Sequence, residues 1–185
     1  MTPLPPTIPV TPEAAKVATA LAAAVPVVVT SRCLLRAPRQ DDFPALQEIM
    51  GTQRGIHAGG PLNPVECWAD FCQCTAVWLL RGHGMWTVEH DGQVAGFVLI
   101  GTEPGDEEHE LGFLFRENFE GLGLAHEAAE AARDYAWNTL NLPSLVSYVS
   151  VGNDRSDALA ERLGATRDGT AYDGKVAIWR HRRPA

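Results

Sequence analysis

Apolar and polar positions along this chain switch repeatedly between a period near two and a period near 3.6, which predicts strands and helices in alternation. Residues 27–36 begin with β-branched side chains and read as a strand. Asp41 or Asp42 can cap a helix running to about Met50, and residues 51–61, with Gly55, Gly59 and Gly60, read as a loop. Asn63-Pro64, a cap followed by proline in the first turn, opens a second helix that reaches about Arg81. On it Trp68, Cys72, Thr75, Ala76 and Leu79 fall at helical spacing, which assigns that face to the core. Residues 85–90 and 93–101 are strands joined by Asp91-Gly92, a strong hairpin signal. A polar, acidic loop leads to a strand at 109–116, then come a helix at 124–138, a strand at 144–151 and a helix at 154–163. A hairpin of 166–172 and 175–181 closes the chain across Asp173-Gly174. The order is βααβββαβαββ, an α/β class without internal repeat.

Ahead of this pattern stands a segment of different character. Pro3, Pro5, Pro6 and Pro9 predict an extended start, and Thr11-Pro12-Glu13 predicts a helix that ends before Pro26. Residues 1–26 are therefore read as an N-terminal extension with a short helix, and residues 27–185 as a single domain. The extension is free to cover the core, to mediate homodimer contacts or to be a simple tail.

Composition narrows the function classes. With 185 residues the chain suffices for one domain with a sizeable core. Its formal net charge of −8 and lack of a basic run argue against nucleic acid as a primary partner, because phosphate backbones call for clustered Lys and Arg. An acidic surface favours cationic substrates such as amines, and serves solubility equally well. Cys33, Cys67, Cys72 and Cys74 lack the spacing of a redox or zinc motif and read as buried, reduced thiols, with Cys67 and Cys74 a heptad apart and packed. No metal is expected. Pro26 interrupts the apolar stretch at 18–29, no basic region precedes it, and no segment has the length of a membrane span, so a cytoplasmic location is expected.

The most informative stretch runs from Glu110 to Ala129. An apolar strand passes through a short polar turn to Gly121 and Gly123, and an alanine-rich helix follows at once. Glycines allow a ligand to approach the backbone, and a new helix presents unpaired amides and a positive dipole end, which together form an anion site. Neither the Walker pattern nor the three-glycine dinucleotide pattern fits. Glu120-Gly121-Leu122-Gly123-Leu124-Ala125 instead resembles the acyl-coenzyme A loop of the GCN5-related N-acetyltransferases (GNAT). Thr30-Ser31-Arg32-Cys33-Leu34-Leu35-Arg36, Gly92-Gln93-Val94-Ala95-Gly96 and Asn153-Asp154-Arg155-Ser156 with Leu163-Gly164-Ala165 resemble the branch that acetylates ribosomal-protein N-termini. The resemblance covers about residues 30–180 in order.

The resemblance implies a mixed central sheet whose fourth and fifth strands splay apart, flanked by helices, with the thioester between those strands. It implies acetyl-CoA as co-substrate, a primary amine acceptor (a protein N-terminus or a small molecule) and direct attack in a ternary complex. Gly121, Leu122, Gly123, Leu124 and Ala125 would hold pyrophosphate, Phe113 and Phe115 would pair with pantetheine, and Asn153 would touch the pantetheine arm. Glu110 is the candidate base or amine anchor, set against an exposed carboxylate in an acidic run. Ser156 is the candidate acid for the departing thiolate, set against a simple helix-start residue. His109 should face away from Glu110, since neighbouring strand residues alternate. Tyr148 reads as packed on its strand. Trp86, Phe97, Phe113, Phe115 and Trp137 read as core, and His57 as exposed or bordering the acceptor. The sequence also departs from the family pattern. Glu120 stands where Gln or Arg is usual, and should turn to solvent or pair with Arg116. Leu122 replaces a frequent basic residue and His126 a frequent Thr. These departures leave open a non-catalytic acyl-coenzyme A-binding module or sensor, or a structural role.

Overall fold

The computed structural model describes residues 8–183; the prolines at positions 3, 5 and 6 lie outside that range. One sheet of eight strands organises the chain, in the order β1-β2-β3-β4-β5-β6-β8-β7. Its strands are β1 (Val28–Val29), β2 (Leu34–Arg36), β3 (Met85–His90), β4 (Gln93–Gly101), β5 (Glu110–Phe115), β6 (Val146–Ser150), β7 (Thr166–Ala171) and β8 (Val176–Arg180). Every pairing is antiparallel except that of β5 with β6, which is parallel and registers at a single pair, Glu110 with Val146. Past that pair the two strands separate, as expected for the fourth and fifth strands of the predicted order.

The helices are α1 (Pro12–Ala22), α2 (Phe43–Met50), α3 (Pro64–Arg81), α4 (Leu124–Asn138) and α5 (Asp154–Arg162). On one face of the sheet, Trp86, Val88, Val98, Ile100 and Leu111 pack with Leu124, Ala128, Ala132 and Ala136 of α4. On the other, Met85 and Phe97 pack with Leu46 and Ile49 of α2 and with Cys67 and Phe71 of α3. Burial on both faces explains the continuous apolar runs of β3 and β4. α1 starts on Thr11, whose Oγ1 accepts from the Ala14 amide, and buries none of its residues.

Three expectations change. The strand read over 27–36 is two short strands. Thr30 turns the chain, its N–H donating to the Cys33 carbonyl and its Oγ1 accepting from the Cys33 amide. Asp42 holds the N-cap position of α2, but its side chain makes no capping bond to that helix. Buried at 3% exposure, it accepts from both Arg36 Nη atoms, the Arg39 amide and Thr87 Oγ1. Burial opposes its charge, but those donors outweigh it and hold the carboxyl below its ordinary range. On α3 the core stripe is Cys67, Phe71, Cys74 and Trp78, while Cys72 and Leu79 are exposed. The two stripes are adjacent on the helix and both carry large apolar side chains, so packing against the sheet sets which turns inward. α3 does start as predicted: Asn63 Oδ1 accepts from the Val65 and Glu66 amides while Glu66 returns a bond to the Asn63 amide.

Candidate active site

The parting of β5 and β6 opens a groove of about 940 Å³ that runs from the glycine loop to Glu110. Residues of one parity on a strand present their backbone groups to the same edge. The His109 carbonyl accepts from the Val146 amide, the Leu111 carbonyl from Ser147 Oγ at 2.7 Å, and the Phe115 carbonyl from Arg54 Nε at 2.6 Å. Odd residues of β5 therefore face β6, and the backbone N–H and C=O of Phe113 look into the gap between these two props. The Phe113 side chain is half-buried and the Phe115 side chain buried, and both line the groove.

Ser147 ends the ladder. Its hydroxyl proton goes to Leu111, so its contact with His181 Nε2 at 3.0 Å requires the imidazole to donate there. His181 Nδ1 is then a bare acceptor without a partner among the described residues. Burial, with Arg133 nearby, pushes this histidine down to about 4, so it stays neutral. At the wide end, a 3-10 segment at Gln53–Ala58 spans the two strands: Arg54 holds Phe115, and the His57 carbonyl accepts from Ser150 Oγ at 2.8 Å.

The glycine-loop end of the groove is made of backbone. Gly121 and Gly123 adopt φ of +71° and +77°, which side chains with a Cβ rarely reach, and Gly123 caps α4 without a side-chain bond. Arg32 braces the loop from behind. Its Nη1 donates to the Leu122 carbonyl at 2.7 Å and its Nε to Glu127 at 2.7 Å. The first amides of α4 have no intrahelical acceptor and open towards the groove. Gly121, Gly123 and Ala125 line it; the Leu122 side chain is exposed and Leu124 is buried in the core, so those two can contribute only through the main chain. Glu120 pairs neither with solvent alone nor with Arg116, which binds Glu48 instead. Arg54 at 2.5 Å and Arg155 at 2.8 Å hold it.

On the other wall, Asn153 Oδ1 accepts from the Ser156 amide at 3.3 Å, which makes Asn153 the cap of α5 and places Ser156 in its first turn. Both side chains line the groove.

The Glu110 end of the groove is made of carboxylates. Glu110 lies on the α3 side of β5, facing Asp70 and Cys74, with Glu103 and Asp106 arriving from the loop before β5. Burial, reinforced by Glu103 and Asp106, pushes Glu110 up to about 8 against a backbone bond from Tyr148. Asp70 is also raised by burial, and the Cys74 thiol beside it, Sγ to Oδ1 3.8 Å, is pushed up to about 12 by burial and Asp70. Asp106 accepts from Tyr172 Oη at 3.0 Å and from the Glu103 amide at 2.6 Å. Among the described residues no three such groups are placed to share a metal ion. His109 faces away, its ring 5.3 Å from that of His83. Tyr148 lines the groove and is not simply packed on its strand. Sequence reasoning missed Arg54, Asp70, Glu103, Asp106, Ser147 and Arg155. Arg155 stood inside the Asn-Asp-Arg-Ser run; the others carried no local signal.

A family model described as an acetyltransferase (GNAT) domain matches residues 32–166. A solved acetyltransferase from Agrobacterium tumefaciens C58 is 40% identical, with a TM-score of 0.81 over 86% of this chain and 95% of that one. RimL, a ribosomal L7/L12 alpha-N-protein acetyltransferase solved with coenzyme A, shares the fold at 20% identity, with a TM-score of 0.69 over 84% of this chain and 97% of that one. The spermidine N(1)-acetyltransferase of Escherichia coli K12 is 32% identical over 83 residues, 44% of this chain and 45% of the enzyme. The chain spans about half the length of the curated relatives it matches. With the parted β5 and β6, the glycine-led α4 and a family match over most of its length, this chain belongs to the GNAT acetyltransferase family.

Proposed function

We propose that the protein transfers an acetyl group from acetyl-CoA to a primary amine by direct attack in a ternary complex. The observation that carries this reading is one continuous groove joining an anion-binding helix start, an open strand edge and a half-buried carboxylate. Pyrophosphate would rest on the amides of residues 121–125, and the pantetheine arm would bond the free edge of β5 at Phe113 and Phe115, with Asn153 opposite. The amine nitrogen attacks the thioester carbonyl carbon, the C–S bond breaks, and the thiolate takes a proton from Ser156 Oγ, which is restored through water by the surplus proton of the new amide nitrogen. Glu110 accepts the proton that the amine must lose. A carboxyl raised to about 8 is mostly protonated at neutral pH in the free protein. An arriving ammonium favours its ionised form, so the substrate itself prepares the base.

The carboxylates of Asp70, Glu103 and Asp106 around Glu110 support an acceptor that carries further positive charge, such as a polyamine, the acceptor named for the Escherichia coli relative. The test is release of free thiol from acetyl-CoA with spermidine, a monoamine of similar length and a peptide with a free N-terminus. Preference for spermidine supports the reading in full, and preference for the peptide moves the acceptor to protein N-termini. Tight binding of acetyl-CoA without amine-dependent release would make this a binding module.

A further inference from the structure

The phosphate end carries a charge arrangement that acetyl transfer leaves unexplained. Glu120 stands immediately before the glycine pair, where a carboxylate would meet phosphate of its own sign. Instead, one oxygen, Oε1, accepts from Arg54 Nη2 at 2.5 Å and from Arg155 Nη1 at 2.8 Å. Arg54 comes from the 3-10 segment and Arg155 from the first turn of α5, so Glu120 joins the two walls of the groove, and all three side chains line it beside Gly121 and Gly123. A guanidinium that donates to a carboxylate oxygen can donate equally to a phosphate oxygen, since both are charge-assisted bonds to an anion.

The two arginines are held differently. The Arg54 side chain is 15% exposed and is also anchored through Nε to the Phe115 carbonyl. That of Arg155 is 60% exposed and makes no other ion pair among the described residues. An exposed pair of this kind contributes little and exchanges easily. Arg54, Arg155 and Glu120 together keep one positive charge in excess. Arg54, followed by Arg155, holds the Glu120 carboxyl below its ordinary range, so neutral pH does not release it.

We infer, on the basis that the groove takes acetyl-CoA, that Arg54 and Arg155 bind a phosphate of the coenzyme and that Glu120 is their counter-ion in the free protein. Arriving phosphate displaces the carboxylate from Arg155, while Arg54 keeps its place on β5. Glu120 thus holds the two walls at phosphate spacing and spares the free protein an unpaired cation pair. An acyl thiol ester without phosphates gains nothing from the exchange, so the arrangement selects for the complete coenzyme.

Calorimetric titration of acetyl-CoA and of S-acetylpantetheine into the wild type, Glu120→Gln, Arg155→Met and the double variant tests this, with melting temperatures confirming that each variant folds. Acetyl-CoA should bind Arg155→Met about 10-fold more weakly and Glu120→Gln about 3-fold more tightly, on the scale of charge-assisted bonds. The gain from Glu120→Gln should shrink in the double variant, and S-acetylpantetheine should be indifferent to all three. Unchanged affinity in Arg155→Met, or weaker binding in Glu120→Gln, overturns the inference while leaving the acetyl-CoA reading intact. Failure of the wild type to bind acetyl-CoA overturns both.

Discussion

The two ends of the groove are built from different materials. The glycine-loop end is main chain: two left-handed glycines, the first amides of α4 and carbonyls braced by Arg32 and Arg54. The Glu110 end is side chain: Glu110, Asp70, Glu103 and Asp106, drawn from a strand, a helix and a loop. Backbone geometry is insensitive to most side-chain substitutions, and Gly121 and Gly123 keep their left-handed conformation beside Glu120 and Leu122. The Glu110 end has no such insensitivity, because its character is the sum of its carboxylates. Ligand binding should therefore be robust in this fold, and acceptor choice easy to change.

The largest effect expected from breaking this contrast is at Glu110. Glu110→Gln should lower kcat/KM by about 10²- to 10³-fold, in the range of a lost general base, with acetyl-CoA affinity unchanged. In the wild type kcat/KM should rise with pH as the carboxyl ionises near 8, and that limb should vanish in the variant, as a pH–rate series would reveal. At the other end, Gly123→Val should weaken acetyl-CoA by about 30-fold, since a Cβ there strains a φ of +77° and meets Arg32 Nη2 at 3.3 Å. Calorimetry checks it; equal binding would mean that the main chain of the loop is not the cradle.

Between the two ends, Ser147→Ala removes the donor to the Leu111 carbonyl and the acceptor for His181. It should cost about 1–2 kcal/mol by denaturant unfolding, the penalty of buried groups left unpaired. The smallest effect should come from Ser156→Ala, about 5-fold in kcat without change in KM, because water can protonate a thiolate nearly as well. A larger loss would raise Ser156 to an essential acid.

Legibility in the sequence followed the range of the interactions. The Asn63 capping box, the Asp91-Gly92 hairpin and the glycine-led α4 each involve residues within a few positions of one another, and the structure has them where the pattern predicts them. The single strand over 27–36 failed because Thr30 closes a turn whose hydroxyl also reaches Glu127, far along the chain. The face of α3 failed because two neighbouring stripes have similar composition, and only the sheet beneath selects one. Asp42 takes the cap position the pattern predicts, but its side chain turns instead to Arg36 and Thr87, which come from two different strands.

By itself the sequence determined the order of elements, the glycine pair that leads α4 and the Asn153 start of α5, because turns, caps and periodicity are local chemistry. Only the tertiary structure decided what surrounds them. Asp70, Glu103 and Asp106 line one groove with Glu110, and Arg54 and Arg155 become partners of Glu120, once the sheet brings distant segments together. Charge acts through space, and neither the pKa of Glu110 nor the pairing of Glu120 is a property of its neighbours in sequence.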